Sequence, residues 1–360
     1  MIPIFKPYMP QDILPELENI LYSGQLAYGK HGRKFEAELA QYIGNPYILT
    51  VNSYNQAMLM ALSILDIKHG DEVIASPVSC LASNQPFVIR GITVVWGDVN
   101  PRTGSLCLDD VKSKITSKTK AIFHNHFCGF LGSIREINQL AKQHGLWVVD
   151  DCIEAFGSVS DDQKAGNLGA DLTIFSFQTV RLPNTVDGAA ISFSSSLLYQ
   201  KAILVRDYGI DRKKFRDNFG EISANCDITL EGYGATMSEI NSYIGYKQMS
   251  DLPKLLQKQK DNAVWWMNEI RENTKNIQPI QLVENTQPNY WVFGVLCEDK
   301  NKALQNFREK NWYATGVHIN NNIYSVFNNS SNLKGVNEFM NKFLAIPCGW
   351  WINHDDKEII

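Results

Sequence analysis

Short apolar runs alternate with helical periodicity through the first two thirds of the chain, and this confines it to an α/β fold on a mainly parallel sheet. The apolar runs are Tyr47–Val51, Glu72–Ser76, Thr93–Trp96, Lys120–His124, Leu146–Val149, Leu172–Phe175 and Gly188–Ser192. Between them, Pro10–Ser23 places Ile13, Leu14, Leu17, Ile20 and Leu21 on one stripe, which predicts a helix. A second helix is predicted from Gly32 to Ile43, stopped by Gly44. A third starts at a cap in Asn52-Ser53-Tyr54-Asn55, and a fourth spans Ile134–His144. The pattern changes after about residue 230. A helix over Met237–Met249 and a polar helix through Trp265–Ile270 are followed by a strand at Tyr290–Cys297, a helix at Lys302–Lys310 and a strand near Tyr313–Ile319. The expected division is a large α/β domain over residues 1–245 and a smaller C-terminal α+β domain over 246–360.

A chain of 360 residues is long enough for a sizeable core in each part. The net charge of -4 and pI near 6.0 carry no basic excess, which argues against nucleic acid as a partner. Seven cysteines, at 80, 107, 128, 152, 226, 297 and 348, are odd in number and form no C-x-x-C pair. They read as reduced thiols of a cytoplasmic protein, with neither a disulfide framework nor a metal site expected. The first residues lack a signal-peptide layout and no apolar run reaches about 18 residues, so no membrane span is expected.

Four segments hold the chemistry-bearing residues. Ser23-Gly24 leads through Gly29 to a helix with Lys34-Phe35-Glu36, and Gly70-Asp71-Glu72-Val73-Ile74 is a turn and strand. His124-Asn125-His126 precedes Trp147-Val148-Val149-Asp150-Asp151-Cys152-Ile153-Glu154. The fourth is Ser176-Phe177-Gln178-Thr179-Val180-Arg181, followed by Gly188-Ala189-Ala190. In this order they resemble the DegT/DnrJ/EryC1/StrS nucleotide-sugar aminotransferases over nearly the whole chain. The resemblance implies the type I fold of enzymes that depend on pyridoxal phosphate (PLP). It also implies a homodimer with a shared active site, a nucleotide-linked sugar as substrate, and a place in amino- or deoxy-sugar synthesis for a surface glycan.

Within that resemblance, Arg181 stands where the family carries its Schiff-base lysine. A lysine amine can lose its proton and bond to the cofactor aldehyde. A guanidinium stays protonated and cannot, nor can it shuttle protons as does the histidine of relatives that use pyridoxamine phosphate. It can grip a phosphate or carboxylate bidentately. A laboratory substitution would explain Arg181 alone, and a slipped alignment would point instead to Lys164, which lies in a Gly-rich loop.

The resemblance also assigns the neighbouring positions. Asp151 matches the carboxylate that pairs with the pyridine nitrogen, while Asp150, next to it on a strand, faces the other way. His126 matches a position beside the cofactor. Ser53, Asn55 and Ser176 match the phosphate contacts, but Tyr54 replaces a glycine that lets the backbone come close. Cys80 replaces the aromatic that stacks on the ring, and Glu154 replaces a glutamine. Gly234 and Thr236 replace an asparagine and an arginine contributed near the phosphate. His318, Asn322 and Tyr324 fall near the substrate mouth and are candidate sugar or nucleotide contacts.

Two readings follow. One is an enzyme on a nucleotide-linked keto-sugar using PLP or pyridoxamine phosphate. The other is a cofactor-free descendant that binds a sugar nucleotide or a partner, or catalyses a PLP-independent reaction. The altered positions argue against lysine-dependent transamination.

Overall fold

The computed structural model describes residues 1–328 and 331–353. Its strands begin with β1 (Ile48–Val51), β2 (Glu72–Ala75), β3 (Thr93–Trp96), β4 (Thr119–Asn125) and β5 (Trp147–Cys152). Short β6 (Val159–Ser160) and β7 (Gln163–Lys164) come next, then β8 (Leu172–Ser176) and β9 (Ala189–Phe193). The central sheet has the order β1-β9-β8-β5-β4-β2-β3. From β8 to β3 it is parallel, and β9 and β1 close one edge antiparallel. Every residue of β1, β8 and β9 is buried, as strands covered on both faces require.

The covering helices are α1 (Leu14–Tyr22), α2 (Lys30–Ile43), α3 (Tyr54–Ile64), α4 (Leu81–Ile89), α5 (Leu108–Ser113), α6 (Ile134–His144) and α7 (Ser196–Arg206). In α2, Phe35, Leu39 and Ile43 recur at helical spacing and are buried, and Gly44 ends the helix at φ 82°. Helices α8 (Glu239–Gln248) and α9 (Leu252–Asn273) lead to the C-terminal part. There β10 (Ile277–Pro279), β12 (Phe293–Cys297) and β13 (Phe343–Ile346) form a small antiparallel sheet, while β11 (Thr286–Gln287) pairs with β6. Helices α10 (Lys300–Glu309) and α11 (Lys334–Lys342) complete it. One apolar cluster runs from Val51 and Met58 to Trp266, Phe293 and Ile346, so the C-terminal segment shares its core with the large sheet.

One expectation needs correction, and several elements add to those that the periodicity predicts. The segment near Tyr313–Ile319 is not a strand; it makes one bridge, Thr315 to Ala345, and Val317 adopts φ 61°, which breaks extended backbone. Helix α4 carries Pro86 inside it, which masks its helical pattern in the sequence. Strand β13 and helices α7 and α11 were also not anticipated from periodicity.

Helix α3 starts as its sequence predicts: the Ser53 side chain accepts from the Gln56 N–H at 3.3 Å. Ser53→Ala is expected to cost about 1 kcal/mol. Chemical denaturation would read this as a lower midpoint at unchanged slope.

Candidate functional site

Open α/β sheets bind ligands at the carboxyl ends of their parallel strands. Here β4 and β5 end side by side, with Asn125 opposite Asp151. Because successive strand residues alternate faces, Asp150 and Asp151 project to opposite sides and serve different neighbourhoods.

On the Asp151 side, the Tyr54 hydroxyl donates to Asp151 Oδ1 at 2.6 Å and lies 3.2 Å from Ser83 Oγ. The Ile153 N–H donates to the same Oδ1 at 3.1 Å. Asp151 Oδ2 is buried without a hydrogen-bond partner among the described residues. Burial therefore dominates and raises the Asp151 pKa to about 6, against the opposing influence of the nearby Ser83 and Tyr54 hydroxyls. Burial, then Asp151, puts the Tyr54 phenol well above its ordinary range, so it remains a donor. Cys80, at the start of α4, is pushed up to about 11 by burial and then by Glu154, so it is a thiol and not a nucleophilic thiolate.

A second cluster centres on Glu154. Its carboxylate accepts the Cys128 N–H at 2.6 Å, contacts His318 Nε2 at 2.9 Å, and lies 3.4 Å from Arg181 Nη2. Burial works to raise its pKa, but His318, Arg181 and the Cys128 N–H outweigh it and hold the carboxylate below its usual range. Two of the converging segments carry strained backbone: Cys128 at φ 55° and Val317, beside His318, at φ 61°. The Arg181 guanidinium stacks on Trp291 with its centre 4.1 Å from the ring. Its Nε and Nη1 have no partner among the described residues. The void bordered by Glu154, Ser176, Arg181 and Trp291 measures about 10 Å³, the lower limit for a single water. A phosphate does not fit there, which removes the bidentate anion grip in this arrangement.

The opposite face of β5 holds a third cluster. Asp150 Oδ1 lies 2.9 Å from His126 Nε2 and 3.4 Å from His124 Nδ1, and the Cys152 thiol donates to Oδ2 at 3.5 Å. Burial would raise the Asp150 pKa, but His126 and His124 prevail and hold it well below the carboxylate range. The three ligand atoms of His124, His126 and Asp150 lie within 4.8 Å of one another, a spacing that a metal ion would tolerate. However, the Gly132 N–H donates to His126 Nδ1 at 3.0 Å. The neutral ring then keeps its proton on Nε2, facing Asp150, with no lone pair there for an ion. His126 thus supports Asp150 and does not join the residues around Asp151.

The remaining candidates are placed as follows. Ser53 caps α3 and Asn55 follows within its first turn. Ser176 Oγ accepts the Gln178 N–H at 3.3 Å, beside the Arg181 void. Asn322 donates to Ser331 O and accepts from Asn320, within its own loop, and Tyr324 is half-exposed. Gly234 faces Tyr208, whose hydroxyl lies where a β-carbon would project. Ser83, Trp291 and the Cys128 N–H were not singled out from sequence. Trp291 sits just before a strand whose apolar run reads as ordinary core, and the other two carry no sequence signal.

PLP needs three things that these residues do not offer together. Its ring nitrogen needs a carboxylate that it can reach, yet the Tyr54 hydroxyl already sits on Asp151 Oδ1 at 2.6 Å. Its aldehyde needs an amine where Arg181 stands. Its ring needs a stacking face where Cys80 stands. The residues present do not fit PLP.

The pattern of the DegT/DnrJ/EryC1/StrS aminotransferase family matches residues 7–360. The GDP-perosamine synthase of Vibrio cholerae is 25% identical over 318 residues, covering 86% of this chain and 83% of that protein. The UDP-4-amino-4,6-dideoxy-N-acetyl-beta-L-altrosamine transaminase of Helicobacter pylori is 24% identical, over 95% and 91% of the two chains. Among solved structures, the sugar aminotransferase CalS13 from Micromonospora echinospora superposes with a TM-score of 0.92 at 24% identity. That match covers 99% of this chain and 97% of the other, and places the fold with the type I enzymes.

Proposed function

Because the chain belongs to the DegT/DnrJ/EryC1/StrS aminotransferase family, we propose that it serves amino- or deoxy-sugar synthesis as a cofactor-free member that binds a nucleotide-linked sugar without transaminating it. One observation carries this reading: the residue at the lysine position, Arg181, is a buried cation between Glu154 and Trp291. A group held that way has neither the lone pair nor the room to act as a nucleophile. The sugar nucleotide is inferred from relatives whose names specify GDP- and UDP-linked sugars. In this reading His318 does not contact a sugar, because its Nε2 is bound to Glu154. Tyr324, on the same loop, keeps an exposed ring for that contact.

The test is the visible absorbance of the purified chain after incubation with PLP or pyridoxamine phosphate, beside an Arg181→Lys variant. Neither protein is expected to develop the band of a bound cofactor, since the lysine alone leaves Tyr54, Cys80 and Glu154 in place. A saturable band in the wild type would overturn the proposal. Calorimetry with GDP- and UDP-linked hexoses tests the ligand: saturable binding of one of them is expected, and binding of neither would defeat that half.

A further inference from the structure

Tyr54 is the first residue of α3, directly after the capping Ser53. A tyrosine at a helix start ordinarily keeps its hydroxyl wet. This one is 5% exposed, and its side chain spans from the helix N-terminus to the Asp151 carboxylate. Those two ends are the receptors for a planar aromatic phosphate: backbone N–H groups for the anion, and a carboxylate for a ring N–H. The phenolic O–H makes, from within the chain, the bond that a ring N–H of such a ligand would make. Asp151 Oδ2 remains a buried acceptor with no partner among the described residues, so the site is not saturated by the protein's own groups.

From this placement we propose that the Tyr54 ring is a built-in occupant of a site for a planar heteroaromatic phosphate, and that removing the ring reopens it. The proposal rests on the cofactor-free reading above and supplies its physical cause. Truncating a buried aromatic leaves a cavity that closes only partly, and a complementary planar molecule gains the contacts the ring has lost. Arg181 is not needed, because noncovalent binding requires no amine.

The probe is pyridoxamine phosphate, which has no aldehyde and so reports the site independently of position 181. Binding is measured by calorimetry and by the shift in thermal midpoint of the full chain, for the wild type, Tyr54→Gly, Tyr54→Ala and Tyr54→Phe. The glycine and alanine variants are expected to bind at least about tenfold more tightly than the wild type. Tyr54→Phe, which keeps the ring, is expected to stay blocked. Two truncations are used so that a folding failure in one leaves the other to decide. A folded truncation that gains no binding would overturn the inference while leaving the cofactor-free reading standing. So would a phenylalanine variant that binds as well as the truncations. Tight binding by the wild type itself would defeat both.

Discussion

Replacing Glu154 by glutamine is expected to lower the unfolding free energy by about 3–5 kcal/mol, although the two side chains have nearly the same shape. Glu154 is 2% exposed at its side chain, pairs with the Arg181 guanidinium and lies 2.9 Å from His318 Nε2. Glutamine keeps one acceptor oxygen but turns the other position into a donor that faces donors. Arg181, 9% exposed, would then be a buried cation with Trp291 as its main remaining partner. Urea unfolding followed by tryptophan fluorescence would register the loss as a lower midpoint at unchanged slope. Pairing the change with Arg181→Met, which removes the orphaned cation, should recover much of the deficit, since an apolar substitute for a whole buried pair is often neutral. A loss under about 1 kcal/mol for Glu154→Gln would mean that the pair behaves like a surface contact.

The second large effect is one of pH. Asp151 has a folded pKa of about 6 against an ordinary 3.8, because burial disfavours its charge. A raised folded pKa means that the folded state holds the proton more tightly than the unfolded chain. Its contribution is therefore fully present below 3.8 and is lost as pH rises through about 6. Over that window the wild type should lose roughly 3 kcal/mol that Asp151→Asn, with no proton to lose, does not. Asp150, whose pKa is lowered, shifts stability the opposite way in both proteins and drops out of the comparison, while Glu154, which repels Asp151, adds a smaller difference. Denaturation midpoints of the two proteins across this range should diverge as pH rises. A constant difference would show that Asp151 ionises as freely as an exposed carboxylate.

Strand–helix alternation made the fold class legible, because two-sided burial leaves an unbroken apolar run and helices leave a stripe. Helix α6 matches its expected bounds, Ile134–His144, residue for residue. The opposite facing of Asp150 and Asp151 was equally legible, since alternation along a strand is local geometry. What the sequence concealed depends on contacts between distant positions. Tyr54 was visible as an obstacle to backbone approach, but not as a donor to a carboxylate 97 residues away. Glu154 was visible as an added negative charge, whereas its contact with His318 spans 164 residues. His126 matched a cofactor neighbour by position, yet its ring turns to Asp150, a choice made by the Gly132 N–H and invisible to any pattern.

A protein that encloses a cofactor draws part of its stability from mass action, gaining RT ln(1 + [L]/Kd) that disappears when the cofactor is scarce. With Tyr54 seated against Asp151, this chain carries the corresponding contacts as covalent parts of itself. On the cofactor-free proposal, its melting temperature is expected not to move when PLP or pyridoxamine phosphate is added.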